Sequence, residues 1–360
     1  MCYLDGNRVK DKFSLKISIE YGMLDVVFND KTNFFEYRNW YSQYDDVDSL
    51  CIIKCSQNAN AKFTIAIPTY KRPQLLREAI DSILSQRDVD NGLYNILVVD
   101  NNSERNDETE IMLSEAQIPN LSYYKNVKNL GAGGNVNRCL TLAQGEWLVI
   151  LHSDDILSPF FMTELNEAVK KHKDAACIQT LKTDISQINN YDITPKGLRR
   201  FGKFDCYSGN IFGLPTGVAY NKRLLLAMGG FPHDKYQIYG FWTHVLCVNA
   251  GDFYCINKPL CAYRVSEAND SNDTRLQPTW IVYDYLLLKN LYHKYFVPRY
   301  IYEPYLSYHS KALYYGIKIK WKSDFDFPDE FIKIREFSQR RYKLSEFVLR
   351  MYAKVIRLFG

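Results

Sequence analysis

An α/β protein with a mainly parallel, doubly wound sheet is what this 360-residue sequence predicts. Two observations carry that assignment. Between residues 62 and 182, short apolar and β-branched runs alternate with helical segments, the pattern of βαβ units. Polar clusters follow three of the strands, at residues 69–73, 100–103 and 152–155. In such a sheet the loops beyond the strand C-termini hold the ligand.

Residues 63–68 (FTIAIP) read as the first strand of the alternation, and residues 74–86 repeat Leu75, Leu76, Ala79, Ile80, Ile83 and Leu84 at helical spacing. Residues 95–99 (NILVV) form a buried strand pattern, followed by the turn and cap formers Asp100, Asn101, Asn102 and Ser103 and a polar helix to about Gln117. A third strand is expected at residues 121–124. A Gly/Asn loop over residues 129–135 then leads into a helix ending near Gly145. Residues 147–151 (WLVIL) give the fourth strand, stopping at His152. Pro159 opens a helix to about Lys171, and residues 175–180 give a fifth strand.

Outside this region the pattern changes. Residues 1–61 do not alternate and are expected to be an N-terminal extension, with an amphipathic strand at residues 14–20 and an acidic linker at residues 45–48. Residues 62–182 make the first half of the main domain, and residues 183–273, which read as irregular, the second half. Residues 274–360 read as several helices interrupted at Pro298, Pro304 and Pro328.

Composition narrows the function. With 45 Lys and Arg against 41 Asp and Glu, the net charge of +4 argues against a general nucleic-acid binder. The excess is local: residues 331–360 hold eight basic and two acidic residues, which leaves 37 basic and 39 acidic in residues 1–330. The charged start lacks the apolar core of a secretory signal. No stretch reaches the ~18 apolar residues of a membrane-spanning helix. Nine cysteines, without metal or redox spacing, read as reduced and mostly buried thiols.

Asp154 and Asp155 directly follow an apolar strand. Adjacent carboxylates repel unless a cation or donors compensate, and hard divalent metals prefer oxygen ligands, so the pair suggests a metal–diphosphate site; an Asp cap ahead of the Ser158-Pro159 helix start is the alternative. Asp100, Asn101 and Asn102 suit a base edge or ribose hydroxyls, and equally a turn. The glycines of residues 129–135 would let backbone approach a phosphate or sugar. No P-loop ending and no dinucleotide fingerprint accompany them, and the loop after the first strand lacks the glycines of a nucleotidyltransferase.

In this order and spacing the pieces resemble the family 2 glycosyltransferases of the GT-A fold. The matching residues are Ile67-Pro68-Thr69-Tyr70 with Arg72-Pro73, then Val98-Val99-Asp100-Asn101-Asn102-Ser103, then Asn129-Leu130-Gly131 with Gly133-Gly134 and Asn137-Arg138. Gly145-Glu146, Ser153-Asp154-Asp155 in place of a DxD motif, and Gly229-Gly230-Phe231 complete the set, over about residues 62–271. The resemblance implies a Rossmann-like GT-A sheet and a donor site built from Pro68, Thr69, Tyr70, Arg72, Asp100, Asn101, Gly131, Arg138, Ser153, Asp154 and Arg264. Thr69, Asp100 and Asn101 would meet base and ribose, Arg138 the phosphate side, and Arg264 the diphosphate, unless it pairs with Glu267. Asp154 and Asp155 would hold Mn²⁺ or Mg²⁺, with His152 a further candidate ligand. The family inverts the anomeric carbon by direct displacement and needs a general base soon after Gly-Gly-Phe. Alignment puts Gly240 at that position, which leaves Asp234 as first candidate, then His233 and His244; His244 lies in an apolar stretch and also reads as a structural histidine.

The implied reaction is transfer of a sugar from a nucleoside-diphosphate sugar, most commonly a UDP-sugar, to a saccharide acceptor. The expected setting is bacterial surface-polysaccharide assembly (O-antigen, capsule or lipopolysaccharide), with a polyprenyl-linked acceptor. A catalytically weak module that binds nucleotide-sugar or glycan within a complex is the alternative. Along residues 343–359 apolar positions recur every three or four residues, with Lys343, Glu346, Arg350, Lys354 and Arg357 on the other line. That pattern fits a helix lying on an anionic membrane, a helix packed on the domain, or a dimer contact. The expected location is cytoplasmic, peripheral on the inner face of the cell membrane.

Overall fold

The computed structural model describes residues 15–19, 22–26, 32–57, 60–188, 197–202, 205–208, 213–233, 239–264, 274, 276–328 and 335–357. The chain divides into two compact units, one of residues 37–206 and 210–266, the other of residues 1–36, 207–209 and 267–360.

In chain order, β1 (Leu15–Ile19) and β2 (Gly22–Val26) form an antiparallel pair in the second unit. The first unit begins its regular structure with β3 (Ser49–Ile53), β4 (Phe63–Thr69), α1 (Pro73–Leu84), β5 (Tyr94–Asp100), α2 (Glu108–Ala116), β6 (Leu121–Asn126), α3 (Gly131–Leu142) and β7 (Trp147–Ile150). It continues with β8 (Ile156–Leu157), α4 (Phe161–Lys171), β9 (Cys177–Asp184), β10 (Leu198–Phe201), β11 (Val218–Asn221), α5 (Lys222–Ala227), α6 (Tyr239–Ala250) and β12 (Phe253–Tyr263). The second unit ends with α7 (Gln277–Lys294), α8 (Arg299–Trp321) and α9 (Gln339–Arg357).

The strand order of the large sheet is β10-β12-β9-β11-β7-β4-β5-β6-β3, with β8 paired to β12. Its central four strands, β7, β4, β5 and β6, run parallel. The chain enters at β4, moves out through β5 and β6, and returns to the other side of β4 with β7. The order therefore reverses beside β4, and in such a sheet a ligand crevice is expected outside the strand C-termini at that point. Both faces of the strands are apolar, as parallel strands covered by helices require. Phe63, Ile65 and Ile67 of β4 pack with Leu76, Ile80 and Ile83 of α1, and Val149 of β7 and Leu165 of α4 belong to the same core.

Five expectations are corrected. Residues 37–57 belong to the first unit: β3 pairs antiparallel with β6, Trp40 is buried, and Trp40 N–H donates to the Gly229 carbonyl at 2.8 Å. The expected boundary at residue 61 thus falls inside a unit, and the acidic stretch at residues 45–48 is a packed turn with Val47 buried. The described residues of 183–273 are not irregular, for β10, β11, α5, α6 and β12 lie among them. Asn257-Lys258-Pro259 interrupts the apolar run of β12, where its register against β9 shifts twice, and α6 is apolar around its circumference, so neither shows a clean period. Residues 131–135 are the first turn of α3 rather than a loop, and α8 continues through Pro304.

Eight cysteines are described, all free and six of them buried. No helix among the described residues is long and apolar enough to cross a membrane.

Candidate functional site

β7 ends at Ile150, and Leu151 N–H donates to the Ala66 carbonyl of β4 at 3.0 Å, which carries the parallel register into the turn that follows. Asp155 N–H closes that turn on the His152 carbonyl at 3.1 Å. One nitrogen of His152 and one carboxylate oxygen from each of Asp154 and Asp155 lie within 4.8 Å of one another. Asp155 is 4% exposed; it accepts a hydrogen bond from Arg264 N–H at 3.0 Å and another from the Thr216 hydroxyl, with His152 Nδ1 at 3.5 Å. Burial pushes its carboxyl above the ordinary range. The Asp154 charge adds to that, while His152, Arg264 N–H and Thr216 oppose it.

Asp154 pairs with Arg72 Nη1 at 3.1 Å. Arg264 reaches over the turn, donating Nε–H to the Asp154 carbonyl at 3.1 Å and pairing through Nη2 with Glu78 of α1. Arg72, just after β4, and Arg264, just after β12, therefore converge on one acidic turn. The arrangement supplies oxygen ligands, one imidazole, and positive charge for an anion that arrives with a cation. The expected alternative for Arg264 involves Glu267, which lies outside the described residues.

At the end of β4, Thr69 Oγ1 is buried without a hydrogen-bond partner among the described residues, in a protein interior where such oxygens are normally satisfied. That hydroxyl keeps its hydrogen-bonding capacity for a further partner. Asp100 and Asn101 behave differently from the expectation that they offer open acceptors. Asp100 is fully buried and accepts from Asn102 N–H at 2.8 Å and Tyr123 hydroxyl at 2.9 Å. Asn101 donates Nδ2–H to the Gly131 carbonyl at 2.9 Å and accepts from Asn126 Nδ2 and Leu130 N–H, while its own N–H donates to the Thr69 carbonyl at 3.0 Å. These two side chains tie the β4, β5 and α3 loops together. Contact with a nucleotide would fall to backbone and to Thr69.

The glycine-rich segment is corrected in the same sense. A Cβ on Gly133 would stand 2.4 Å from His233 Cβ, and one on Gly134 would stand 2.6 Å from Tyr44 Cε2, so these glycines admit protein neighbours. Gly131, at φ +71°, opens α3 with free space where a Cβ would point. Asn137 clamps Phe231 from both sides, accepting its N–H at 2.9 Å and donating to its carbonyl at 2.8 Å. Arg138 Nη2 donates to the carbonyls of Tyr44 and Val47, each at 2.6 Å, so its guanidinium braces residues 44–47 rather than the expected phosphate side. Arg138→Ala is accordingly expected to cost about 2 kcal/mol in urea unfolding, from lost charge-assisted bonds. The same variant should leave the KM for donor unchanged; a raised KM with full stability would restore the phosphate role.

Of the remaining candidates, Tyr70 is exposed beside Lys71, which adopts φ +52°, and Pro68 is half-buried at the end of β4. Ser153 is buried in the acidic turn. His244 is fully buried in α6 beside the Tyr220 hydroxyl at 3.1 Å, and burial holds its pKa down to about 3, so it is a structural histidine and not a base at the crevice. His233 is buried against Asn137 and the Phe231 carbonyl. Asp234 lies outside the described residues. Sequence reasoning passed over Thr216, whose hydroxyl also accepts from His152 N–H at 3.2 Å, and Glu78. For Thr216 the signal was the Pro215-Thr216-Gly217 turn directly before the apolar β11; for Glu78 there was none.

Residues 64–228 match the family model described as Glycosyl transferase family 2. An uncharacterized protein of Mycobacterium tuberculosis is 25% identical over 209 residues, 53% of this chain and 64% of its own length. An uncharacterized glycosyltransferase of Mycoplasma genitalium is 33% identical over 166 residues, 45% of this chain and 48% of its own. WcaA of Escherichia coli, named for colanic acid biosynthesis, is 31% identical over 100 residues, 28% of this chain and 35% of its own. The match therefore spans less than two thirds of each relative. Among solved structures, residues 1–349 of S. aureus TarS superpose with a TM-score of 0.51 at 15% identity, over 77% of this chain and all of that one. Their complex with UDP-GlcNAc gives 0.50 at 15% identity, over 74% and 95%. At that identity the likeness is one of fold.

Proposed function

We propose, from the premise that this chain belongs to the family 2 glycosyltransferases, that it transfers a sugar from a nucleoside-diphosphate sugar to a saccharide acceptor. The observation that carries the proposal is the convergence of His152, Asp154 and Asp155 on one turn at the switch point of the sheet, flanked by Arg72 and Arg264.

The donor set fits a divalent cation, Mn²⁺ or Mg²⁺. Two carboxylates supply hard oxygens, an imidazole suits Mn²⁺, and the buried Asp155 beside Asp154 carries negative charge that burial disfavours. Bound there, such an ion would act as a Lewis acid for the departing nucleoside diphosphate. Arg72 and Arg264 hold the acidic turn in shape and stand ready to meet phosphate oxygens. Thr69 offers its buried hydroxyl to the nucleoside. UDP is the nucleotide of this proposal, as in the TarS complex. Inversion by direct displacement needs a base on the acceptor side; with His233 and His244 both held in buried contacts, Asp234 takes that role. The similarity to WcaA, named for colanic acid biosynthesis, supports an acceptor in polysaccharide assembly; a polyprenyl-diphosphate carrier and a cell-surface product belong to the proposal alone.

With Mn²⁺, a UDP-sugar and a lipid-linked saccharide mimic, wild type should release UDP well above background, chelator should abolish that release, and Asp154→Ala should match the background. Equal release by wild type and Asp154→Ala would overturn the enzyme reading and leave a nucleotide-sugar or glycan-binding module. Pyrophosphate release from a nucleoside triphosphate would point instead to a nucleotidyltransferase.

A further inference from the structure

We propose that the outward face of α9 docks this chain on an anionic lipid surface, independently of whether the first unit transfers sugar. The way α9 is held carries the argument. It is fixed to its neighbours by Tyr342, which stacks on Tyr308 at 3.9 Å between centroids, by Ser345, whose hydroxyl donates to the Ile301 carbonyl, by the buried Leu349, and by Tyr352, whose hydroxyl donates to the Tyr295 carbonyl at 3.1 Å. At 100° per residue these four positions fall within about 80° of arc. Packing therefore uses an aromatic and hydroxyl line, and not the long apolar line that the sequence displays.

Of that line, Leu344, Phe347 and Met351 point outward. Leu344 and Phe347 are each 62% exposed and Met351 is 42% exposed, within about 60° of arc and centred about 150° from the packing line. Arg340, Arg341 and Lys343 are exposed around it and form no ion pair among the described residues; Arg350, also exposed, pairs with Glu346. Three apolar side chains framed by long cations, whose stems can lie along an apolar surface while the heads stay in water, match an interfacial helix.

Charge selects the occupant. Residues 331–360 carry eight basic residues and two acidic ones, whereas residues 1–330 are slightly acidic. A second copy seated on this face would set two basic strips against each other, whereas anionic headgroups complement the cations as the acyl boundary receives the apolar side chains.

The test is co-sedimentation of the full chain with vesicles of phosphatidylcholine carrying about 30 mol % phosphatidylglycerol, compared with phosphatidylcholine alone. The expected result is at least roughly tenfold tighter binding to the anionic vesicles, weakened by salt. Replacing Leu344, Phe347 and Met351 together by Ser should weaken it at least roughly tenfold. The combination Arg340→Gln, Arg341→Gln and Lys343→Gln should weaken it by roughly fivefold per charge removed. All six residues are exposed, so an unchanged unfolding midpoint shows that the variants remain folded. Failure to bind, equal binding to both vesicle types, or variants that bind as wild type would overturn the proposal. So would a concentration-dependent dimer that the Ser variant dissolves, which would assign the face to a second copy.

Discussion

Asp155→Asn is expected to lower donor turnover about 10³-fold, corresponding to several kcal/mol of lost charge stabilisation at the diphosphate, while leaving the protein as stable as wild type or more so. The two halves of this expectation come from the same geometry. Asn keeps an acceptor oxygen for Arg264 N–H and the Thr216 hydroxyl, so the turn after β7 retains its closure. What disappears is one of two adjacent negative charges in a site where burial already disfavours the ionised form, and removing that repulsion does not destabilise the fold. UDP release with saturating Mn²⁺, Mn²⁺ affinity of the isolated protein by electron paramagnetic resonance, and the urea midpoint read the three quantities separately. Loss of stability with turnover retained would make Asp155 a turn closure alone, the anchor of Arg264 N–H and the Thr216 hydroxyl; the cap role is already excluded, since Phe160 holds the N-cap of α4.

The acidic turn was legible because its signal is local: a fully apolar strand that stops at two carboxylates has few other uses. The βα alternation from β4 to α4 was legible for the same reason, since each element shows its own period. What escaped depends on partners far away in the chain. Asp100 and Asn101 look like free acceptors until Tyr123, Asn126 and Leu130 are placed beside them. Arg138 looks like a phosphate ligand until residues 44–47 fold over it. Those residues lack periodicity, and it is the Gly229 carbonyl, far along the chain, that receives Trp40 N–H. A Cβ on Gly229 would lie 1.9 Å from the Arg38 carbonyl oxygen, so the Gly-Gly-Phe motif marks the seat of residues 38–41. The same limit applies to α9, where the pattern left three uses open and only the packing shows which residues meet the neighbouring helices.

Lys125→Met should produce the largest stability loss, about 3–5 kcal/mol near neutral pH, as expected when one partner of a buried ion cluster is removed. Lys125 is 1% exposed and sits at the end of β6, with Nζ 2.8 Å from Asp107, 3.5 Å from Asp100 and 3.8 Å from Glu110. A thioether of similar length fills the volume but leaves these carboxylates without their shared cation; only Glu110 keeps another, Arg105, at 2.8 Å. The pH dependence follows from how each acid titrates. Burial opposes ionisation of Asp107, yet Lys125, the Glu110 N–H and Asn102 together hold it below the ordinary value, and Glu110 is held low chiefly by Arg105. For such depressed acids the stabilisation is present above their unfolded pKa, near 4, and is lost as pH falls through the lower folded values. Asp100 has the opposite sign, because burial raises its pKa and its cost sets in as pH rises through that raised value; without Lys125 nearby that cost increases. Both signs make the variant's deficit widest at neutral pH and shrink it in acid, as the orphaned carboxylates take up protons. Urea unfolding from about pH 4 to 8 should show the two curves converging toward the acid end. A deficit constant across that range would mean that Lys125 acts through its stem and its place over the Tyr123 ring, at 5.9 Å. Because Asp100 fixes the Asn102 backbone, and Asn101 beside it holds Thr69 and Gly131, the same variant should raise the donor KM. Loss of stability with KM unchanged would separate this buried cluster from the crevice above it.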